Sequence, residues 1–481
     1  METNQFRTIF STVSVVVLVA LISFVVGCSN TSSTAGMGSA TVSMSDPPSC
    51  SNFKHAYVTI DGVSATISTS DTGWQQLASQ LSSTSGSIKA VQLDLLNLPQ
   101  NGQCLLAQLG STQSLPAGDY GQMRLMLVAN DATGVTLLPG SVDPNNNQCA
   151  SVHAWNCVVD ANGMTALNLS SQAQTGEKIP PGQIWGGPIH VAAGQSVDIN
   201  LDFNACRSIV AQGNAQYRLD PALVAFQVSQ NLTGISGQVV QASIVGNALQ
   251  VSTTGVQSAN VALEMATPPA DGSSSVDTIS NYLTTTDASG NFDFCPLPAG
   301  PFDVVADAGS TTTPSYNATI VTGVPNGTQV TVPLLAETGT PGVLAGLVTA
   351  TPASNSAPSI TANLYALQTA TSSLEFAVPL LSGSDPTISQ ISVPCTSGNC
   401  TTTAPAFSLV LPSSNPLVGA FSSGNISWTL PIASTVKYKV EATCSGSSGT
   451  VGTFSTPPST VTAGTTTTLP AGQPPQLTGC N

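Results

Sequence analysis

The sequence predicts an all-β protein built from tandem antiparallel β-sandwich modules, and three observations predict it. Charged residues make up only 7% of the 481-residue chain, against roughly 25% in a typical soluble protein, so there is little Glu, Lys or Arg to solvate the wet face of long helices. Period-two alternation recurs. Val197-Asp198-Ile199-Asn200-Leu201-Asp202-Phe203 places Val, Ile, Leu and Phe on one side of a strand and Asp, Asn and Asp on a solvated other side. Val58 to Asp61 and Val436 to Glu441 repeat the pattern, and turn clusters such as Asp143-Pro144-Asn145-Asn146-Asn147 and Pro325-Asn326-Gly327 lie between such runs. Helix candidates are short, at Trp74 to Leu81 and Cys104 to Leu109.

Taken in order, the chain begins with Arg7 and an apolar run from Val15 to Val26, which is shorter than the ~20 residues a spanning helix needs. It ends in Val25-Val26-Gly27-Cys28, which resembles the lipobox of bacterial lipoproteins. The resemblance implies a signal peptide at 1–27, cleavage before Cys28, and acylation of that cysteine with chains such as palmitate. Several chains hold a protein on a membrane where one holds it only reversibly. Ser29, standing where an aspartate would retain the protein in the inner membrane, points to the outer one by the family's sorting logic. Residues 28–38 then form a lipidated, uncharged and flexible linker.

Residues 39–229 carry Val42-Ser43-Met44-Ser45-Asp46-Pro47-Pro48, Tyr57 to Val63, Trp74, Val91 to Leu98, Leu115 to Tyr120 with Arg124-Leu125, Asp202-Phe203-Asn204 and Ser208-Ile209-Val210. In order and spacing they resemble the bacterial domain-of-unknown-function family 4382, which implies an extracytoplasmic β-rich module of no known activity. Asn204 stands where that pattern usually has a second acid, which argues against a metal site there. Residues 234–337 carry Ile235-Ser236-Gly237-Gln238-Val239, Thr284 to Phe294 and Leu297 to Val304. These resemble the carboxypeptidase regulatory-like domain, a small prealbumin-like sandwich without catalytic residues. Residues 341–481 read either as a diverged repeat of that module or as an unrelated sandwich. For the repeat, Ala345-Gly346-Leu347-Val348 parallels Ser236 to Val239, Phe407-Ser408-Leu409 parallels Phe292 to Phe294, and Thr460 to Thr465 parallels Ile320 to Pro325. Hinges are expected at Gln230 to Gly234 and Glu337 to Gly342, with early proteolysis at the second.

Eleven cysteines less Cys28 leave an even set: Cys50, Cys104, Cys149, Cys157, Cys206, Cys295, Cys395, Cys400, Cys444 and Cys480. An exported chain oxidises such a set in pairs, and zinc fits poorly because there is no C-x2-C pair and there are only three histidines. The third module favours Cys395 with Cys400 and Cys444 with Cys480. The second holds only Cys295, which should therefore bridge to one of the five cysteines of the first.

Net charge is −15, and no Lys or Arg occurs between Arg218 and Lys437, which excludes nucleic acid as a partner. There is no G-x-S-x-G elbow, phosphate loop or H-E-x-x-H helix, and His55, His153 and His190 are the only histidines. No enzymatic activity, cofactor or metal is implied. Asp198, Asn200 and Asp202 cannot complete a calcium shell from one strand. The candidates for ligand stacking are Trp155, between Cys149 and Cys157, and Trp185, in a Gly-rich loop, with nearby Asn, Gln and Asp to bond hydroxyls. Trp74 and Trp428 read as core anchors. The sequence thus points to a membrane-tethered protein for binding, adhesion or assembly, whose partner is a glycan or an envelope protein. The alternative is a carbohydrate-binding or accessory component of a surface glycan hydrolase.

Overall fold

Wherever apolar and polar residues alternate, the chain forms strands, and the strands stack into sandwiches. The computed structural model describes residues 36–480 apart from 47–52, 68–71, 85, 102–103, 170–175, 180–182, 214–215, 220–222, 229–233, 268–275, 310–313, 338, 353–358, 380–389, 397–398, 402–406, 433–434, 446–450 and 471–475. The segment expected to be a signal peptide (1–27), Cys28 and Cys50 lie outside the described residues.

The first body is centred on strand Ser196–Phe203, which runs parallel to Met37–Ser45 and antiparallel to Leu223–Gln227. A second sheet is organised by the long strand His55–Thr66, paired with Ser87–Asp94, Gln122–Leu127 and Cys157–Val159. Val42, Met44, Ile199, Leu201 and Phe203 from the first sheet meet Ile60, Leu93 and Leu125 from the second in one core.

Both helix expectations are overturned. Cys104–Gln108 is a strand antiparallel to Met37–Ser45, so its apolar residues are buried by sheet pairing. In Trp74 to Leu81 only Gln75–Gln76 is regular, as a short strand. Leu77 and Leu81, four residues apart as on a helix, are both buried in the core through a turn instead. Among the described residues the one α-helical stretch is Ala205–Ser208.

The alternation of residues 197–203 was right about strand and wrong about water. Asp198 is exposed, but Asn200 and Asp202 are completely buried, because this strand is internal to its sheet and its polar side is covered by Tyr282. Trp74 and Trp428 are both half-buried, and Trp428 packs against the core of the second body as expected. The Arg124 guanidinium lies 4.4 Å over the Trp74 ring.

The same three-strand arrangement occurs twice downstream. Ile235–Val245 is flanked by antiparallel Asn291–Phe294 and parallel Gln329–Leu335. Gly342–Gly346 is flanked by antiparallel Phe407–Leu411 and parallel Thr466–Thr468. Gly237 pairs with Phe292 in the first and Gly346 with Phe407 in the second. In both, a Cβ on the glycine would stand 2.6 Å from the tip of the opposing ring, so the missing side chain is what lets the aromatic lie flat across the strand.

The sheet facing these triplets does not stop at a boundary. Val276–Thr278 pairs in parallel with Leu374–Phe376, and Thr319–Thr322 pairs in parallel with Leu417–Ala420. One sheet therefore runs through both halves. Two residues of the expected second hinge, Glu337 and Thr340, are hydrogen-bonded across it. Glu337 accepts from Ser315 Oγ at 2.7 Å and from the Ser413 amide at 2.6 Å, and Thr340 O accepts from Ser413 Oγ at 3.3 Å.

Four disulfides are present among the described residues: Cys104–Cys295, Cys149–Cys157, Cys395–Cys400 and Cys444–Cys480. The expected bridge from Cys295 to the first body is the one to Cys104, and both expected pairs of the C-terminal part form. Of the Cys206 side chain, as of Cys50, nothing is described.

Candidate functional site

The most built-up loop of the first body is the one that carries Trp155. Asp143 opens it as an Asx turn, accepting from the Asn145 amide at 2.9 Å and from Asn146 Nδ2 at 2.8 Å. Those bonds hold the Asp143 carboxyl below its ordinary range, the Asn146 side chain first. A single 3-10 turn, Ala150–Val152, follows, and His153 reverses the chain in the left-handed region at φ +53°. Cys149–Cys157 then closes the loop onto strand Cys157–Val159.

Buried amides fix what the disulfide closes. Gln92, fully buried, donates to Asn147 Oδ1 at 2.8 Å, to Thr59 Oγ1 at 3.0 Å and to Trp155 O at 3.1 Å, and accepts from the Gln148 amide at 2.8 Å. Asn147 Nδ2 donates to Ala154 O at 2.7 Å. Asn130 Oδ1 accepts from the amides of Trp155 and Asn156, and Asn156 Oδ1 accepts from the Thr59 amide. Such a network ties a backbone with no regular pairing of its own to the sheet beneath it.

Trp155 itself is half-buried, and its indole N–H is committed to Ala132 O at 2.9 Å. Part of the residue is accessible, on a rigid mount. The amides expected to bond sugar hydroxyls are spent inside the loop, so polar contacts to a ligand would have to come from exposed neighbours such as Asp131, Ser151 and His153.

Trp185 is not a stacking platform. It is 9% exposed and packs against Tyr282 at 5.7 Å edge-on and Phe302 at 6.1 Å between ring centroids. With Val224, Phe226 and Val228 it belongs to a core shared with Ile235, Tyr282, Phe294 and Phe302, so it joins two parts of the chain.

Sequence reasoning missed the pairing of His55 with Asp94. His55 Nδ1 lies 2.6 Å from Asp94 Oδ2, which also accepts from Asn97 Nδ2 at 2.8 Å, while Asp94 Oδ1 accepts from the Ala56 amide at 3.1 Å. The imidazole stacks on Tyr57 at 5.4 Å. The only signal available was cross-strand register, since Tyr57 stands opposite Asp94. Among the described residues His55 is hydrogen-bonded to Asp94 and Asn97 and to no hydroxyl, so the couple is not joined to a nucleophile. His190 pairs with Asp119 across two short strands, and both side chains are exposed.

The buried acids form a second group, at the seam with the second body. Ser45 Oγ donates to Asp202 Oδ2 at 3.0 Å and accepts from Asn200 Nδ2 at 2.7 Å, and Ser43 Oγ donates to Asn200 Oδ1 at 3.1 Å. Burial pushes the Asp202 carboxyl up to about 8, against the lowering effect of hydrogen bonds from Ser45 and Tyr282. Asp46 is raised well above the usual carboxylate range by burial, against the Ala205 amide and with the charges of Asp202 and Asp94. Burial disfavours the charged form of both acids, the form a cation would need. No cluster of three or more His, Cys, Asp or Glu suited to a metal occurs among the described residues.

A family model described as a domain of unknown function, DUF4382, matches residues 37–221. No curated protein sequence matches the chain. Among solved structures, a candidate cell adhesion protein of Bacteroides ovatus is 12% identical, with 50% of this chain and 92% of that one covered at a TM-score of 0.16. The TIE protein of Bacillus anthracis is 9% identical, with 93% of this chain and 51% of that one covered at 0.13. The minor pilin of Streptococcus agalactiae is 9% identical, with 52% of this chain and 97% of that one covered at 0.14. At these TM-scores the likeness carries no argument about role. In the region that DUF4382 matches, the Trp155 loop is the candidate site.

Proposed function

We propose that this protein is a cell-envelope lipoprotein, anchored through acylated Cys28, whose non-catalytic β-sandwich modules serve binding, adhesion or assembly outside the cytoplasm. The observation that carries the binding role is the Trp155 loop. A disulfide and five amide or hydroxyl side chains, three of them buried, are committed to holding one half-buried indole in place, and preorganisation of that kind lowers the ordering cost of binding. The lipobox, the paired cysteines and the near absence of cations support the exported, tethered setting. In this reading residues 234–337 are a carboxypeptidase regulatory-like module, and residues 341–481 are its diverged repeat. The shared Gly–Phe strand triplet supports that relation.

The half-buried indole on its pinned loop favours a glycan as the partner over a protein partner of unspecified chemistry, since sugar faces stack on indoles. A glycan array probed with the wild-type chain and with Trp155→Ala tests this. Binding that disappears in the variant while the disulfides stay paired is the expected result; binding that survives removes Trp155 from the site. The anchor is tested separately by labelling with a fatty-acid analogue, where Cys28→Ser should carry no label.

A further inference from the structure

Four segments of the first body meet at the end where strand Met37–Ser45 begins. Met37 stands opposite Pro116, and Gly36 O accepts from the Ala117 amide at 2.7 Å. The Gly194 amide donates to Met37 O at 2.8 Å, and a Cβ on Gly36 would stand 2.5 Å from that of Ala193. From the second sheet, Ile67 follows strand His55–Thr66, and a Cβ on Gly118 would meet its Cγ2 at 3.2 Å. The missing side chains at 36 and 118 thus let Met37, Pro116, Ala117, Ala193 and Ile67 gather along one rim.

That rim is apolar and open to solvent. Met37 is 52% and Ile67 55% exposed, and Ala193 is exposed beside them. A chain with 24 Asp and Glu against nine Lys and Arg places a single acid in the stretches 36–38, 66–67, 115–120 and 189–194. That acid is Asp119, and it is paired with His190 at 2.6 Å. The seam with the second body lies at the other end of the same strand, where Ser45 bonds Asp202 beneath Tyr282.

The occupant follows from the tether, and this step rests on the reading of Cys28 as the acylated anchor. Gly36 is eight residues beyond Cys28, a step that reaches at most about 29 Å when fully extended. Strand Met37–Ser45 has nine residues, so at ~3.3 Å each its far end stands nearly as far again from the rim. Whatever path the tether takes, the rim is the part of the body that it brings nearest to lipid. Anionic headgroups repel carboxylates, and apolar side chains enter the boundary between headgroups and acyl chains. We propose that the Met37–Ile67 rim rests on the bilayer that holds the anchor, with both side chains inserted at that boundary. The first body then stands on the membrane, and its Ser45 end carries the second body away from it.

The full acylated chain in vesicles of phosphatidylethanolamine with phosphatidylglycerol, doped with an alkyne-bearing phospholipid, tests this. A benzophenone amino acid replaces Met37, Ile67 or, as reference, Ile432, which is 75% exposed in the third part. Illumination should attach vesicle lipid at positions 37 and 67 at least about tenfold more than at 432, because side chains at the boundary are buried roughly 5–10 Å into it. Met37→Glu, combined with the probe at 67, should lower that adduct severalfold. Circular dichroism and disulfide mapping establish that each variant is folded. Fatty-acid labelling of Cys28 separates two failures. A chain without label overturns the anchor and the rim's role together, whereas a labelled chain whose probes give no more lipid adduct than the one at 432 overturns the rim's role alone. An adduct at 67 that Met37→Glu leaves undiminished detaches Met37 from the contact and overturns the rim as drawn. Chain-to-chain adducts at 67 in place of lipid adducts would assign the rim to a second copy and overturn it equally.

Discussion

The two seams of this molecule are closed by different chemistry. Between the first and second bodies the contact is made by side chains. Cys104–Cys295 crosses it, Trp185 and Phe226 pack on Tyr282, Asn204 Nδ2 donates to Leu283 O at 3.2 Å, and Asp202 is buried beneath Tyr282. Between the second and third parts a main-chain ladder, at Val276–Thr278 with Leu374–Phe376 and at Thr319–Thr322 with Leu417–Ala420, is added to a shared core in which Val305 and Ile320 pack with Leu344, Leu364 and Phe376. A side-chain seam concentrates its stability in a few residues and responds to redox state and pH. A ladder spreads its stability over many peptide groups that no single substitution removes.

The largest effect expected is at the bridge. Replacing Cys104 and Cys295 together by Ser should cost about 3–5 kcal/mol, since the disulfide closes a long loop, read by denaturant unfolding of the oxidised protein. Hydrogen exchange should then quicken around Asn204 and Leu283 and stay unchanged at Thr319–Thr322 and Leu417–Ala420. Equal quickening at both seams would erase the contrast.

Trp185→Ala should cost about 3–5 kcal/mol by leaving a cavity among aromatics, seen as a lower Tm. It should leave any ligand binding that depends on Trp155 in place. A loss of ligand affinity without loss of stability would return Trp185 to the surface role that its packing denies it.

Asp202 gives the first seam a pH dependence. Its carboxyl titrates at about 8 when folded and at roughly 3.9 when unfolded, so between those values the folded state holds a proton that the unfolded state has released. Stability should therefore fall as pH rises from about 4 to about 8 and level off above that. Asp46 and Asp307, both raised by burial, add slope in the same direction. Asp202→Asn should flatten the profile and raise Tm most at the alkaline end, because the uncharged amide still accepts from Ser45. A profile unchanged by the substitution would mean that Asp202 is ionised in the folded protein.

The smallest effect compares the two triplets. Gly237→Ala drives a Cβ into the backbone carbonyl of Val330 as well as into Phe292, while Gly346→Ala meets only the side chains of Phe407 and Leu469. Overpacking costs typically about 1–3 kcal/mol, and the first substitution should sit at the high end and the second at the low end. The reverse order would show that the two triplets are packed differently.

Much of the fold could be read because its determinants are local. Alternation over Val197 to Phe203 and Val436 to Glu441 specifies strands whatever they pack against, and the DUF4382 match falls on residues 37–221, close to the expected 39–229. The candidate site was half legible. Trp155 between two cysteines marked the loop, but Gln92 and Asn130, which hold it, lie far away in sequence with no pattern to announce them.

By itself the sequence determined the all-β class, the even set of cysteines beyond Cys28 and the bridge from Cys295, because composition, parity and period-two patterning act without reference to neighbours. Only the tertiary structure decided which polar residues are dry, that Trp185 seals a seam while Trp155 sits half-buried on its loop, that Cys104 is the partner of Cys295, and that one sheet joins the parts on either side of the expected second hinge. A strand's alternation says which residues share a face; whether that face meets water or another layer depends on what the rest of the chain lays over it.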